Sequence, residues 1–210
     1  LEDYSAGHIP DSEAKILIED IQKKISDDKI SFHHGVSYRN VAVFHGNCFS
    51  DKSLCKKPDD NQGANINTLN PISTDNSIES LYTVNYIKEI TLKVRDFLKT
   101  HHLSRKSNNK VDSIWLHSQG KKPTLPSFSS LYGGKRGAII SAVDVIFGLG
   151  LSAGLEVIKV NGATGFIDTN YDGKVQATLE AIERVDFVYL HIEAIDECSH
   201  LGDLNLKIKA

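Results

Sequence analysis

The stretch Asp186-Phe-Val-Tyr-Leu-His-Ile-Glu-Ala-Ile-Asp-Glu-Cys-Ser-His200 decides the fold class of this chain of 210 residues. Its first half, residues 187–192, is rich in aromatic and branched side chains, as in a strand buried on both faces of a sheet. Four acidic or imidazole side chains follow within eight residues, namely Glu193, Asp196, Glu197 and His200. Ligand crevices of open α/β sheets lie outside the carboxyl ends of the strands, so this pattern predicts a functional site here.

The spacing of Asp196 and His200 predicts one side of a metal site. If a helix begins after Ile195, side chains four residues apart project from the same helix face. A carboxylate oxygen beside an imidazole nitrogen suits Mn, Zn, Co or Fe better than Ca. The same D-x-x-x-H spacing is also common on exposed polar helix faces, so the spacing alone leaves both interpretations open.

Composition and charge narrow the classes of function. The length suits one large domain or two small ones. A net charge of -3 favours neither nucleic acid nor an anionic membrane as a partner, and no apolar run is long enough to span a membrane. Three cysteines without a C-x-x-C pair argue against a disulfide framework and favour a reducing cytoplasm. The chain lacks methionine and ends inside a predicted helix, so we expect it to be a fragment.

The first residues predict a helix followed by an extended segment. Isoleucine and leucine at helical spacing predict a helix that Asp11 caps and that ends near Ile25. Residues 30–44 have the composition of extended chain. Within them, the adjacent His33 and His34 would point to opposite faces of a strand and could not easily bind one metal together.

The middle of the chain predicts a long loop, a long helix and a connector. Residues 46–76 are rich in Gly, Asn, Asp, Ser and Pro, as in a loop. Ser77 is placed to cap a long amphipathic helix. Residues 100–110 form a basic, polar connector, and Ser113–His117 is a second strand candidate. Two prolines then predict a domain junction near Ser127.

The last third of the chain predicts an α/β domain. Predicted strands at 137–141, 156–160 and 187–192 alternate with predicted helices at 143–149 and 174–184. Such alternation is typical of a parallel sheet with right-handed crossovers.

Three short motifs in this region resemble ligand loops but are incomplete. The glycines of Gly148-Leu-Gly150 and Gly162-Ala-Thr-Gly165 do not complete a dinucleotide fingerprint, so we interpret them as turns. Asp168-Thr-Asn-Tyr-Asp-Gly173 begins like a calcium loop. Its twelfth position is Leu179 rather than the required Glu, which argues against calcium.

Several runs share their order and spacing with a single family. The runs are Asp3-Tyr-Ser-Ala-Gly-His-Ile9, Gly35-Val-Ser-Tyr-Arg-Asn40, Ile114-Trp-Leu-His-Ser-Gln-Gly-Lys-Lys-Pro123, Leu125-Pro-Ser-Phe128, Ile140-Ser-Ala-Val-Asp-Val145, Gly162-Ala-Thr-Gly-Phe-Ile-Asp-Thr-Asn-Tyr-Asp-Gly-Lys174 and the segment from Asp196 to His200. Together they resemble the cofactor-independent phosphoglycerate mutases of the archaeal type, a family of the alkaline phosphatase superfamily.

The resemblance implies an α/β fold in which an α+β insertion domain interrupts an alkaline-phosphatase-like core with a parallel sheet. Residues 1–127 would be the insertion domain that covers the substrate, and residues 128–210 a part of the metalloenzyme core. It also implies interconversion of 3- and 2-phosphoglycerate in glycolysis through a phosphoserine, with two divalent metals (Mn, Co, Mg or Zn). The family's nucleophilic serine would precede this chain, so we expect the chain alone to be inactive.

The resemblance also implies roles for five residues. Asp196 and His200 match the two ligands of one metal. Arg39 matches a basic residue that holds the carboxylate or phosphate of the substrate, and Lys135 or Arg136 would serve from the core. No oligomeric state follows from the sequence.

Three other classes of protein remain open at this stage. One is another metal-dependent phosphohydrolase or phosphomutase of the same superfamily, which would share D-x-x-x-H but not the substrate. The second is a non-catalytic module that binds a phosphorylated metabolite or a partner. The third, a nucleotide-binding Rossmann protein, is opposed by the incomplete glycine motifs.

Overall fold

The computed structural model describes residues 1–104 and 111–210. The chain divides into two compact units, Leu1–Lys121 and Lys122–Ala210. Most of the predicted basic connector therefore lies outside the described residues. In the part of the chain that is described, no helix is both long enough and apolar enough to cross a membrane.

The described residues of the first unit form two helices and two small antiparallel sheets. Its elements are α1 (Asp11–Ile25), β1 (Ile30–Val36), β2 (Arg39–Phe44), β3 (Ser53–Leu54), β4 (Ile72–Ser73) and α2 (Ile78–Leu98). Short 3-10 turns occur at Asp59–Asn61 and Ile66–Thr68. The predicted cap of α2 is confirmed, because the Ser77 side chain accepts a hydrogen bond from the Ser80 backbone N–H. The predicted capping of α1 by Asp11 is wrong. Asp11 is the first residue of the helix, Pro10 is at the cap position, and no side chain forms a capping hydrogen bond there.

One apolar core holds the first unit together. Leu17 and Ile21 of α1, Ile30 of β1, and Ile90 and Val94 of α2 are all buried in it. The strands β1 and β2 form an antiparallel hairpin with Ile30 opposite Phe44. The alternation of buried and exposed residues at the start of β1 shows that one face of the hairpin packs on this core.

The predicted strand at Ser113–His117 is wrong, since these residues have no regular secondary structure. Two of its side chains, Ile114 and Leu116, pack against the core of the first unit. Trp115 instead donates a hydrogen bond through Nε1 to the Lys56 carbonyl oxygen at 2.9 Å. The apolar composition of this run therefore reflects core packing of an irregular segment.

The second unit is an α/β structure around a parallel sheet, which confirms the predicted fold class. Its elements are α3 (Phe128–Leu131), β5 (Gly137–Ser141), α4 (Asp144–Ser152), β6 (Glu156–Lys159), α5 (Tyr171–Ile182), β7 (Phe187–Leu190), α6 (Ala194–His200) and α7 (Leu204–Lys209). The strand order is β6-β5-β7, and β5 pairs in parallel with both neighbours.

The central strand β5 is buried along its whole length, whereas β7 is an edge strand of the described sheet. Phe187 and Tyr189 are 40% and 43% exposed. The prediction that residues 187–192 are buried on both faces is therefore wrong for this chain, because Phe187 and Tyr189 lie on the same face of β7 and the described residues leave that face uncovered.

Helix α4 approaches β5 closely at Gly150. A Cβ atom added there would lie 2.5 Å from Cγ2 of Ile139, whereas one added at Gly148 would meet nothing within 4 Å. The absence of a side chain at Gly150 therefore brings the helix against the sheet. This close packing gives a structural reason for glycine at position 150, which the incomplete dinucleotide motif does not provide.

We expect Gly150→Ala to destabilise the second unit by about 1–3 kcal/mol, because the new methyl group overpacks against Ile139. Gly148→Ala, in the same helix, should instead stabilise it by about 0.5–1 kcal/mol, because alanine has the higher helix propensity. Amide hydrogen exchange of strand β5 at increasing urea concentrations measures both effects. Equal exchange in the two variants would contradict the close approach at Gly150.

Candidate metal centre and substrate-binding residues

The parallel pairing of β5 and β7 brings the carboxyl ends of these strands to one edge of the sheet. Ile140 lies opposite Leu190, and the His191 N–H donates to the Ile140 carbonyl oxygen at 2.8 Å. Ser141 and His191 are therefore neighbours at this carboxyl edge. Helix α6 begins three residues after His191, so its first turn starts at the same edge.

Helix α6 carries Asp196 and His200 on one face, as their spacing predicts. Oδ2 of Asp196 lies 3.3 Å from Nε2 of His200, and the two side chains are 65% and 64% exposed. An exposed polar contact of this kind contributes little to stability. A carboxylate oxygen and an imidazole nitrogen that lie close together and are exposed to solvent are instead suitable donors for a transition metal.

This pair fits one part of a metal coordination shell. Structural and catalytic sites for zinc and related metals use at least three protein ligands. Within residues 1–104 and 111–210, no group of three or more His, Cys, Asp and Glu side chains could hold a metal ion. Helix α6 therefore supplies two chemically suitable metal donors, which is fewer than the three protein ligands that such sites use.

A hydrogen-bonded row of Ser141, His191 and Glu193 lies at the same edge. Oγ of Ser141 is 3.2 Å from Nδ1 of His191, and Nε2 of His191 is 3.1 Å from Oε2 of Glu193. This is the hydroxyl, imidazole and carboxylate order of a nucleophilic triad. Ser141 is only 1% exposed, however, and its Oγ accepts the Val143 N–H at 3.0 Å. The row therefore orients the His191 ring and offers no accessible nucleophile.

Lys174 is a second component of this edge that sequence reasoning missed. It lies in the first turn of α5 and is 1% exposed, and its Nζ donates to the His191 carbonyl oxygen at 3.2 Å. Burial lowers the pKa of the Lys174 ammonium, and the nearby Glu193 carboxylate opposes this shift. The only sequence signal was its place at the end of the Gly162-to-Lys174 run.

Lys135 and Arg136 lie at the opposite, amino-terminal edge of the sheet, because they immediately precede β5. Nζ of Lys135 pairs with Oδ1 of Asp186 at 2.9 Å, and the Arg136 N–H donates to Oδ2 of the same carboxylate at 2.9 Å. The five residues of β5 span roughly 16 Å. The structure therefore does not bring these two cations to Asp196 and His200, and the substrate role that the resemblance implies for them stays a prediction.

Arg39 is in the first unit, at the start of β2. Its guanidinium carbon lies 4.4 Å from the centroid of the Tyr38 ring. Oδ1 of Asp11 accepts the backbone N–H of Ser37 at 2.8 Å and is 3.1 Å from Nε2 of His34. The Asp11 carboxylate therefore holds the hairpin turn that leads into Arg39.

Family models match the chain in two consecutive parts. The model described as 2,3-bisphosphoglycerate-independent phosphoglycerate mutase matches residues 1–104. The model described as Metalloenzyme superfamily matches residues 102–210. The second match includes the parallel sheet and helix α6.

Two relatives match the full length of the chain. A 2,3-bisphosphoglycerate-independent phosphoglycerate mutase of Methanosarcina mazei is 40% identical over 214 residues, which are 100% of this chain and 51% of the relative. A probable enzyme of the same name from Geobacter sulfurreducens is 43% identical over 213 residues, again 100% and 51%. The chain thus spans about half the length of these relatives.

Two solved structures share the fold. The PH0037 protein of Pyrococcus horikoshii is 19% identical with a TM-score of 0.69, and the match covers 96% of this chain and 46% of that protein. The cofactor-independent phosphoglycerate mutase of Thermoplasma acidophilum is 21% identical with a TM-score of 0.56, covering 93% and 52%.

The parallel sheet with its Asp-His helix, together with the match over residues 102–210, defines the class of the chain as an α/β protein of the metalloenzyme superfamily. Within that superfamily, the chain is similar over its whole length to the 2,3-bisphosphoglycerate-independent phosphoglycerate mutases, as the resemblance in its sequence predicts.

We expect the pKa of the Asp11 carboxyl to lie below the ordinary aspartate value of 3.8, chiefly because it accepts the Ser37 N–H. Because the pKa is lower in the folded state, the Asp11 contact stabilises the turn fully at pH values above the unfolded-state pKa. This stabilisation is lost as the pH falls towards the folded-state pKa. An NMR titration of the Asp11 carboxyl carbon and the Ser37 amide measures both. Asp11→Ala should loosen the turn at neutral pH, and an unchanged Ser37 amide shift in that variant would disprove the contact.

Proposed function

We propose that the full-length protein containing this chain interconverts 3- and 2-phosphoglycerate without 2,3-bisphosphoglycerate, through a phosphoserine. The observation that carries the proposal is the match of two consecutive family models over the whole chain, supported by relatives named for this activity. The activity is a step of glycolysis and gluconeogenesis. The cytoplasmic location favoured by the cysteine content stays a prediction.

The proposal assigns Asp196 and His200 to one of two divalent metals. The exposure of both side chains and their shared helix face support this assignment. The remaining ligands and the nucleophilic serine belong, in the proposal, to parts of the protein outside these 210 residues. When bound, a pair of divalent metals would neutralise phosphoryl oxygens and lower the pKa of an attacking hydroxyl.

The residues of this chain then have separate tasks. Helix α6 presents its two donors in a fixed relation, because its backbone hydrogen bonds join the turn of Asp196 to that of His200. Arg39 is the residue assigned to the carboxylate or phosphate of phosphoglycerate, since a guanidinium binds either group with two parallel hydrogen bonds. Lys135 or Arg136, both at the amino-terminal edge of the sheet, is assigned to hold the substrate from the core side.

The proposal divides the protein into two functional parts. Residues 1–127 are assigned to the insertion domain that covers the substrate, and residues 128–210 to part of the metalloenzyme core. The match of the mutase model to residues 1–104 and of the metalloenzyme model to residues 102–210 supports this division.

We expect the full-length protein to convert 3-phosphoglycerate to 2-phosphoglycerate in the absence of 2,3-bisphosphoglycerate, to lose activity on chelation, and to regain it with Mn²⁺ or Co²⁺. A coupled enolase assay measures this. The 210-residue chain alone should show no turnover, because it lacks the nucleophile in this proposal. Release of inorganic phosphate without isomerisation would instead identify a phosphohydrolase of the same superfamily, and mutase turnover by the chain alone would contradict the assignment of the nucleophile.

In the full-length protein, Asp196→Ala and His200→Ala should each weaken Mn²⁺ binding by about tenfold or more, since even outer partners of metal ligands have effects of that size. Isothermal titration calorimetry of Mn²⁺ measures the affinity independently of turnover. Glu183→Ala, which removes an exposed carboxylate at the end of α5, is the matched control and should bind Mn²⁺ normally. Wild-type affinity in both α6 variants would sink the metal assignment.

A further inference from the structure

Packing alone does not explain the buried ammonium of Lys174. Moving a charged amine out of water costs free energy unless it is well paired. Among the described residues, the neutral His191 carbonyl oxygen is the one acceptor within hydrogen-bond distance of Nζ, and the nearby Glu193 carboxylate favours the charged form only from farther away. An apolar side chain of similar length would fill the same space without the desolvation cost. The ammonium is therefore retained for something other than packing.

Lys174 binds the backbone directly after β7, where the chain leaves the sheet. Strand β7 ends at Leu190, so among residues 1–104 and 111–210 the carbonyl of His191 has no partner in a neighbouring strand. The Lys174 ammonium supplies the missing donor at 3.2 Å. The side chain of His191 is held separately, between Ser141 and Glu193. Backbone and ring of this one residue are thus restrained by different contacts.

This restraint continues into helix α6 through the next turn of the backbone. The Glu193 carbonyl oxygen accepts the N–H groups of Asp196 at 2.9 Å and Glu197 at 3.2 Å. The direction of the first turn of α6, which carries Asp196, therefore depends on where the segment from His191 to Glu193 is held. Lys174 comes from a different helix and connects α5 to this segment.

We propose that Lys174 is a positioning residue for the metal-binding pair, because its buried ammonium fixes the segment from His191 to Glu193 and thereby aims Asp196 and His200. This inference rests on the metal assignment within the proposed function. Lys174 does not act by touching substrate, since it is 1% exposed. Its effect is on where the metal donors lie, and so on how tightly a metal is bound.

The test uses the full-length protein with Mn²⁺ as the probe and no phosphoglycerate. Lys174→Met removes the ammonium and keeps an unbranched apolar chain. Lys174→Ala leaves a space that propylammonium can fill, and sodium chloride at equal ionic strength is its control. Lys159→Met is the matched control variant, because Lys159 is an exposed lysine that lies opposite Ser141 at the same edge of the sheet. Calorimetry gives the Mn²⁺ affinity, and urea unfolding gives the stability.

We expect Lys174→Met to bind Mn²⁺ about tenfold or more weakly than the wild type, the size typical of losing a group that orients metal ligands. Its urea midpoint should be unchanged or higher, because a buried charge has been removed. Propylammonium, but not sodium chloride, should restore part of the Mn²⁺ affinity of Lys174→Ala. Lys159→Met should behave as the wild type.

Two results would overturn the inference. One is wild-type Mn²⁺ affinity in a folded Lys174→Met protein. The other is a loss of affinity that parallels a loss of stability and is not restored by propylammonium, which is the pattern of a merely structural lysine. If Lys174→Met does not fold, the amine rescue of Lys174→Ala decides alone. Absence of any Asp196-dependent Mn²⁺ binding in the wild type would also overturn it, whereas Mn²⁺ binding without mutase turnover would reject only the proposed activity.

Discussion

The parallel pairing of β5 with β7 is the constraint on which the candidate site depends. Its register sets Ile140 opposite Leu190, so the two strands end side by side. Ser141 ends β5 and His191 directly follows β7, so their polar side chains come into contact at the same edge. A shift of β7 by one residue would turn its side chains to the opposite face of the sheet. Helix α6 follows within three residues and has little freedom to start elsewhere.

The two edges of this sheet differ in whether their charged side chains are exposed or buried. At the amino-terminal edge, Lys135 and Asp186 form an exposed ion pair, as do Arg184 and Glu156. Exposed pairs of this kind contribute little to stability and bring no reactive group into a protected place. At the carboxyl edge, the ammonium of Lys174 is buried. The costly charge is therefore found at the edge where the helix of Asp196 and His200 begins, as expected of a functional site that departs from the rules for a stable core.

Much of the fold was predictable because it follows from local pattern. The predicted strand at 137–141 and the helix from Asp11 to Ile25 coincide with β5 and α1. The predictions failed where the partner of a segment mattered. Ser113–His117 is as apolar as a strand but packs without one, and β7 is an edge strand although its composition suggested burial on both faces. An apolar composition predicts that a segment is buried, but it does not predict which elements the segment packs against.

The sequence by itself determined the α/β class, the family and the shared helix face of Asp196 and His200, because periodicity, motif order and a four-residue spacing are properties of the chain alone. Only the tertiary structure decided which charged groups meet. It placed Lys135 at the edge away from α6, and it brought Lys174 to His191 from 17 residues away. Such meetings depend on strand register and on the packing of α5, which are long-range contacts that no local pattern encodes.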